Sequence, residues 1–138
     1  MIVLQLISVF IGVAGFALVL EVQKKHLFYC GIAGTVGWAA YLLAQEFVPA
    51  GSVFVSSFCI ALVSQIFARK LRCPVTVFLI PGIYPSVPGA GIYRTVYYVI
   101  MGENLLAGHY FLETLTTAGM IALGIYTVDI IWKLRKVN

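Results

Sequence analysis

Residues 75–101 form an apolar run of 27 residues that is interrupted by Pro81-Gly82, Pro85 and Pro88-Gly89. As one straight helix this run would be about 40 Å long and would overshoot a bilayer core of about 30 Å. Proline removes a backbone donor and glycine loosens the helix, so polar backbone groups are freed at a depth where lipid cannot satisfy them. The run must therefore break, and its open backbone must face protein, water or a ligand. The spacing predicts a first half-helix from Val75 to Leu79 or Ile80, non-helical backbone over 81–89, and a second half-helix over 90–101.

That reading presumes a membrane, and composition supports it. The chain is 62% hydrophobic and only 10% charged, with a mean hydropathy of +1.01, against about 25% charged residues in soluble domains. Apolar runs at 2–20, 27–44, 53–68, 75–101 and 110–132 are separated by short polar breaks. They predict an all-α integral membrane protein, a single transmembrane domain over 1–138 with about five transmembrane helices, the fourth of them broken. Residues 2–20 carry no basic n-region or small-residue cleavage site and read as the first mature span rather than a signal peptide.

The net charge of +4 comes from clusters beside the apolar runs: Lys24 and Lys25; Arg69, Lys70 and Arg72; Lys133, Arg135 and Lys136. With five crossings every cluster falls on one side, while the opposite loops, around Gln45, Glu46 and Pro49 and around Gly102, Glu103, Asn104 and His109, hold no Lys or Arg. Basic residues stay on the cytoplasmic side, which puts the N-terminus out and the C-terminus in. Splitting 75–101 into two crossings would make each about half the usual length and move the last basic cluster to the wrong side.

Several chemistries find no footing. Cys30, Cys59 and Cys73 lack paired or metal-ligand spacing, and His26 and His109 stand apart from any such partner, so neither a disulfide framework nor a metal site is expected. Most of the eight tyrosines and nine phenylalanines lie inside apolar runs, which argues against nucleic-acid stacking. Motifs for nucleotide, hydride or hydrolytic chemistry are missing, so no cofactor and no enzyme activity is expected.

The broken run is the candidate substrate site. A second half-helix beginning at Gly89, Ala90 and Gly91 presents free amides and a positive dipole end, which favour a carboxylate. The expected substrate-binding residues are Pro81, Gly82, Pro85, Pro88, Gly89, Ala90, Gly91 and Arg94. Arg94 either clamps a substrate carboxylate, pairs with Glu113, or snorkels to the interface. Glu113 and Asp129 are the candidates for proton coupling, with a pair to Lys133 as the plainer account of Asp129. Ser56, Ser57, Ser64, Gln65, Thr114, Thr116 and Thr117 can line a polar pathway or bond back to their own helices. Gly31, Gly34 and Gly37, with Gly12 and Gly15, allow close helix packing, inside one bundle or toward a partner subunit.

The stretch Thr76-Val-Phe-Leu-Ile-Pro-Gly-Ile-Tyr-Pro-Ser-Val-Pro-Gly-Ala-Gly-Ile-Tyr-Arg94 resembles the signature loop of the threonine/serine exporter family. Length and span pattern resemble its small stand-alone subunit, which corresponds to the C-terminal membrane half of single-chain exporters. The resemblance implies secondary export of threonine and serine, or of a dicarboxylate, across a prokaryotic cytoplasmic membrane. It further implies a larger membrane subunit of the same family as partner, and possible oligomers. A competing reading is a membrane scaffold that holds a partner and transports nothing; a membrane-embedded enzyme or a channel is less favoured.

Overall fold

In a computed structural model, which describes residues 1–137, the chain forms six α-helices: α1 (Ile2–Val19), α2 (Lys24–Phe47), α3 (Ser52–Lys70), α4 (Thr76–Ile83), α5 (Gly89–Ile100) and α6 (Asn104–Val137). One turn of 3-10 helix, Pro49–Gly51, leads into α3, and another, Tyr84–Ser86, follows α4. Helices α1, α2 and α6, and α3 with its leading turn, are each long and apolar enough to cross a membrane. The protein is an all-α, multi-pass membrane protein. Large apolar side chains such as Leu4, Ile11, Phe28, Leu43 and Leu115 are exposed, as expected where lipid is the solvent.

Glycines set the packing of the first three helices. A Cβ on Gly31 or Gly34 would collide with Phe10 and Val13 of α1, and one on Gly37 with Ile60 of α3. The α2 stripe is thus used within the bundle, with α1 on one flank and α3 on the other. Gly12 and Gly15 of α1 have nothing within 4 Å of an added Cβ.

Helix α4 packs against α2, α3 and α1. Its Phe78 is fully buried and is ringed by His26, Tyr29 and Phe67 at centroid distances of 5.6, 6.4 and 5.8 Å. Parallel to α3 runs α6, in register through Gly124 beside Ser57, Gln65 bonded to Asp129, and Arg69 stacked over Trp132 at 4.2 Å. Arg69 therefore joins Arg135 and Lys136 around one cavity, and Lys25 joins Arg72 around another. All three basic clusters meet at one end of the bundle.

Two boundaries differ from the sequence expectation. The first half of the broken helix runs through Pro81 and Gly82 to Ile83, and the break shrinks to 84–88. Proline at 81 deprives the Val77 carbonyl of its usual helical donor; the Cys30 thiol of α2 supplies one instead, at 3.3 Å. A tertiary contact thus serves the carbonyl that the proline leaves without its helical donor. At the other end, the loop expected around Asn104 to His109 is helical, and the chain reverses within 101–103, where Gly102 takes φ 77°. Leu105, Leu106 and Ala107 are strong helix formers, and they extend α6 to 34 residues, about 51 Å.

Candidate functional site

The break between α4 and α5 follows from its prolines. Pro85 and Pro88 cannot donate to the helix ladder, so the chain tightens into a 3-10 turn closed by Val87 N–H to the Tyr84 carbonyl at 3.3 Å. Gly89 N–H then bonds to the Val87 carbonyl at 2.8 Å, and α5 begins. Tyr84 is pinned by stacking on Phe16 of α1, centroids 4.2 Å apart. These contacts hold the break against α1, α2 and α3, with Pro85, Ser86 and Pro88 half-buried and Tyr84 and Val87 exposed.

A cavity of about 230 Å³ opens beside it, lined by Trp38 and Tyr41 of α2, Val53 of α3, Pro85 and Ser86 of the break, and Thr117 of α6. Drug-sized ligands occupy about 300–1,000 Å³, so this space suits a smaller metabolite. Trp38 stacks on Tyr41 at 5.1 Å, and its indole N–H is buried with no hydrogen-bond partner. A buried donor without a partner costs about 1–3 kcal/mol until an acceptor reaches it.

Hydroxyls complete the wall. Ser56 Oγ donates to the Gly37 carbonyl at 2.8 Å and lies 3.3 Å from Ser86 Oγ, joining α2 and α3 to the break. Thr117 Oγ1 donates to the Glu113 carbonyl, leaving its oxygen free to accept. A second cavity, of about 440 Å³, shares Tyr41, Val53 and Thr117 with the first and reaches Pro49, Thr116 and Glu113. Together they form a path from the break toward the end of the bundle opposite the basic clusters.

Of the residues expected from sequence, Pro85 lines the cavity, whereas Pro81 and Gly82 are buried in α4. Gly82 is there because a Cβ would meet Ile60 at 2.9 Å. Gly91 likewise answers to packing, since a Cβ would strike Thr114 Oγ1 of α6. Gly89 and Ala90 are exposed at the start of α5, where Gly89 has open space around it, and Pro88 caps the helix.

Arg94 is exposed and lies over the Tyr110 ring at 5.4 Å. The ion pair found among the described residues is Lys133 with Asp129, at 3.3 Å, so Arg94 is not joined to Glu113. Asp129 is held at both oxygens, since Gln65 Nε2 donates to Oδ1 at 3.2 Å. Glu113 is exposed at the outer cavity. Sequence reading missed Trp38, Tyr41 and Ser86. Only the i, i+3 spacing of the two aromatics on one helix face hinted at the first pair.

The sequence model of the family described as threonine/serine exporters matches residues 5–131, nearly the whole chain. The chain belongs to the threonine/serine exporter family. A threonine/serine exporter of Corynebacterium glutamicum is 24% identical over 126 residues, which cover 91% of this chain and 25% of that protein. The chain thus spans about a quarter of the length of this curated relative. No solved structure matches it. In this exporter-family chain the break of the signature stretch is the element that brings Pro85 and Ser86 to the polar cavity.

Proposed function

We propose that the chain is a subunit of a secondary transporter that exports a small carboxylate-bearing metabolite, threonine or serine or a dicarboxylate, across the cytoplasmic membrane. The observation that carries this reading is the cavity at the helix break. It combines an unpartnered indole N–H from Trp38 with hydroxyls of Ser86 and Thr117 in a space sized for a small ligand. Trp38 and Ser86 donate to the carboxylate, and Thr117 accepts from an ammonium or hydroxyl group. Family membership supports the amino-acid class.

Glu113, at the outer end of the path, is the group proposed to exchange protons with the gradient; Asp129, held by Gln65 and Lys133, has a pairing role available. The basic end faces the cytoplasm in this reading, with the N-terminus outside. A larger membrane subunit of the same family completes the transporter. That partner accounts for α5, which packs chiefly on α6 and leaves Tyr93, Val96 and Ile100 uncovered. The same uncovered face favours the second reading, a scaffold that holds a partner without transporting.

Flux of radiolabelled threonine, serine and succinate into and out of proteoliposomes, with an imposed pH gradient and with the partner subunit present, tests the proposal. Gradient-dependent flux is expected, falling at least about tenfold in Trp38→Phe, which keeps the ring and removes the donor. A stable complex that carries no substrate in any preparation would establish the scaffold instead.

A further inference from the structure

At the basic end, α1 and α3 finish in the same way. Each is closed by a six-to-one hydrogen bond, Val22 N–H to the Ala17 carbonyl at 3.1 Å and Cys73 N–H to the Ala68 carbonyl at 2.9 Å. This cap requires a left-handed residue just past the helix, a position normally given to glycine. Here Glu21 and Arg72 occupy it, at φ 57° and 53°. Two charged side chains thus stand where the backbone favours none.

Both border one cavity of about 380 Å³, with Gln23, Lys25 and His26 beside them. His26 is only 6% exposed, and its Nδ1 is buried without a hydrogen-bond partner. Neither Glu21, Lys25 nor Arg72 belongs to the ion pair found among the described residues. One cavity is therefore lined by two cations, one carboxylate, an amide and a buried histidine, and its three charged groups lie outside that ion pair.

The geometry points to a binding site for a small zwitterion, an α-amino acid, at the basic end of the bundle and separate from the cavity at the helix break. The ligand carboxylate is received by Lys25 and Arg72, its ammonium group by Glu21, and the imidazole of His26 bonds whichever group lies over it. An anion alone would leave Glu21 opposed, and a cation alone would leave Lys25 and Arg72 opposed. If the chain exports amino acids, this is where the substrate is first received. The site itself rests on its own residues.

Calorimetric titration of the whole chain in nanodiscs with L-threonine, acetate and methylamine tests this, in the Trp38→Phe background so that the break cavity is disabled. Saturable threonine binding is expected, at least about tenfold tighter than acetate or methylamine, and at least about tenfold weaker in Glu21→Gly and in Arg72→Gly. Both substitutions place glycine in a left-handed cap, so thermal unfolding should move up rather than down, and lost binding will not reflect lost folding. No saturable threonine binding, binding indifferent to both glycine variants, or acetate bound as tightly as threonine would each overturn the site. Loss of flux in Trp38→Phe is read separately in proteoliposomes, so the break cavity and the basic-end site can fail independently.

Discussion

A single thiol bonds the carbonyl that Pro81 frees inside the first half of the broken helix. Pro81 removes one helical hydrogen bond, and the Val77 carbonyl it releases is taken by Cys30 from the neighbouring helix. Cys30→Ala leaves that carbonyl without a donor in an apolar setting and is expected to cost about 1–3 kcal/mol, whereas Cys30→Ser retains a donor and loses less. Thermal unfolding of the two variants in one detergent checks the order. Sequence alone marks Cys30 as a small apolar filler, because the carbonyl it serves lies 47 residues away. The glycines are similar: Gly82 and Gly91 read as openings for a ligand, yet Ile60 and Thr114 fill those spaces.

Among the elements, the hairpin of α5 and α6 and the break that precedes it carry the most specific expectations. Gly91→Ala pushes against Thr114 Oγ1 and should cost about 1–3 kcal/mol. Adding Thr114→Ala removes the obstructing oxygen and should restore much of the loss, which a double-mutant cycle on unfolding free energy measures. Replacing Pro85 and Pro88 together by Ala restores two backbone donors and allows α4 to continue toward α5. Circular dichroism should then show added helix, while flux in proteoliposomes falls because Ser86 leaves the cavity. Unchanged flux in that variant would detach the break from transport.

For the whole molecule, the least covered element is α5, none of whose residues is buried. Helices α2, α3 and α4 pack on one another, α1 lies mainly on α2 and α6 on α3, and α5 rests on α6 with Tyr93, Val96, Val99 and Ile100 uncovered. Under the two-subunit proposal, Ile100→Arg should abolish co-purification with the larger subunit while the isolated chain keeps its helix content and unfolding temperature. A partner that still co-purifies would move the interface elsewhere, with the open glycines Gly12 and Gly15 of α1 as the next surface to test.

Hydropathy and proline placement by themselves determined that this chain is a helical membrane protein with its fourth apolar run broken, since bilayer thickness and missing backbone donors act on any chain of this pattern. The signature stretch also named the family. Tertiary structure decided which groups lie beside the break. Trp38, Ser86 and Thr117 come from three segments that are unremarkable along the chain, and helix packing alone gathers them at one cavity, with Ser56 behind Ser86. The same holds at the basic end, where Glu21 and Arg72 lie 51 positions apart in the chain and are brought together because two helices end at one level and a buried imidazole lies between their loops.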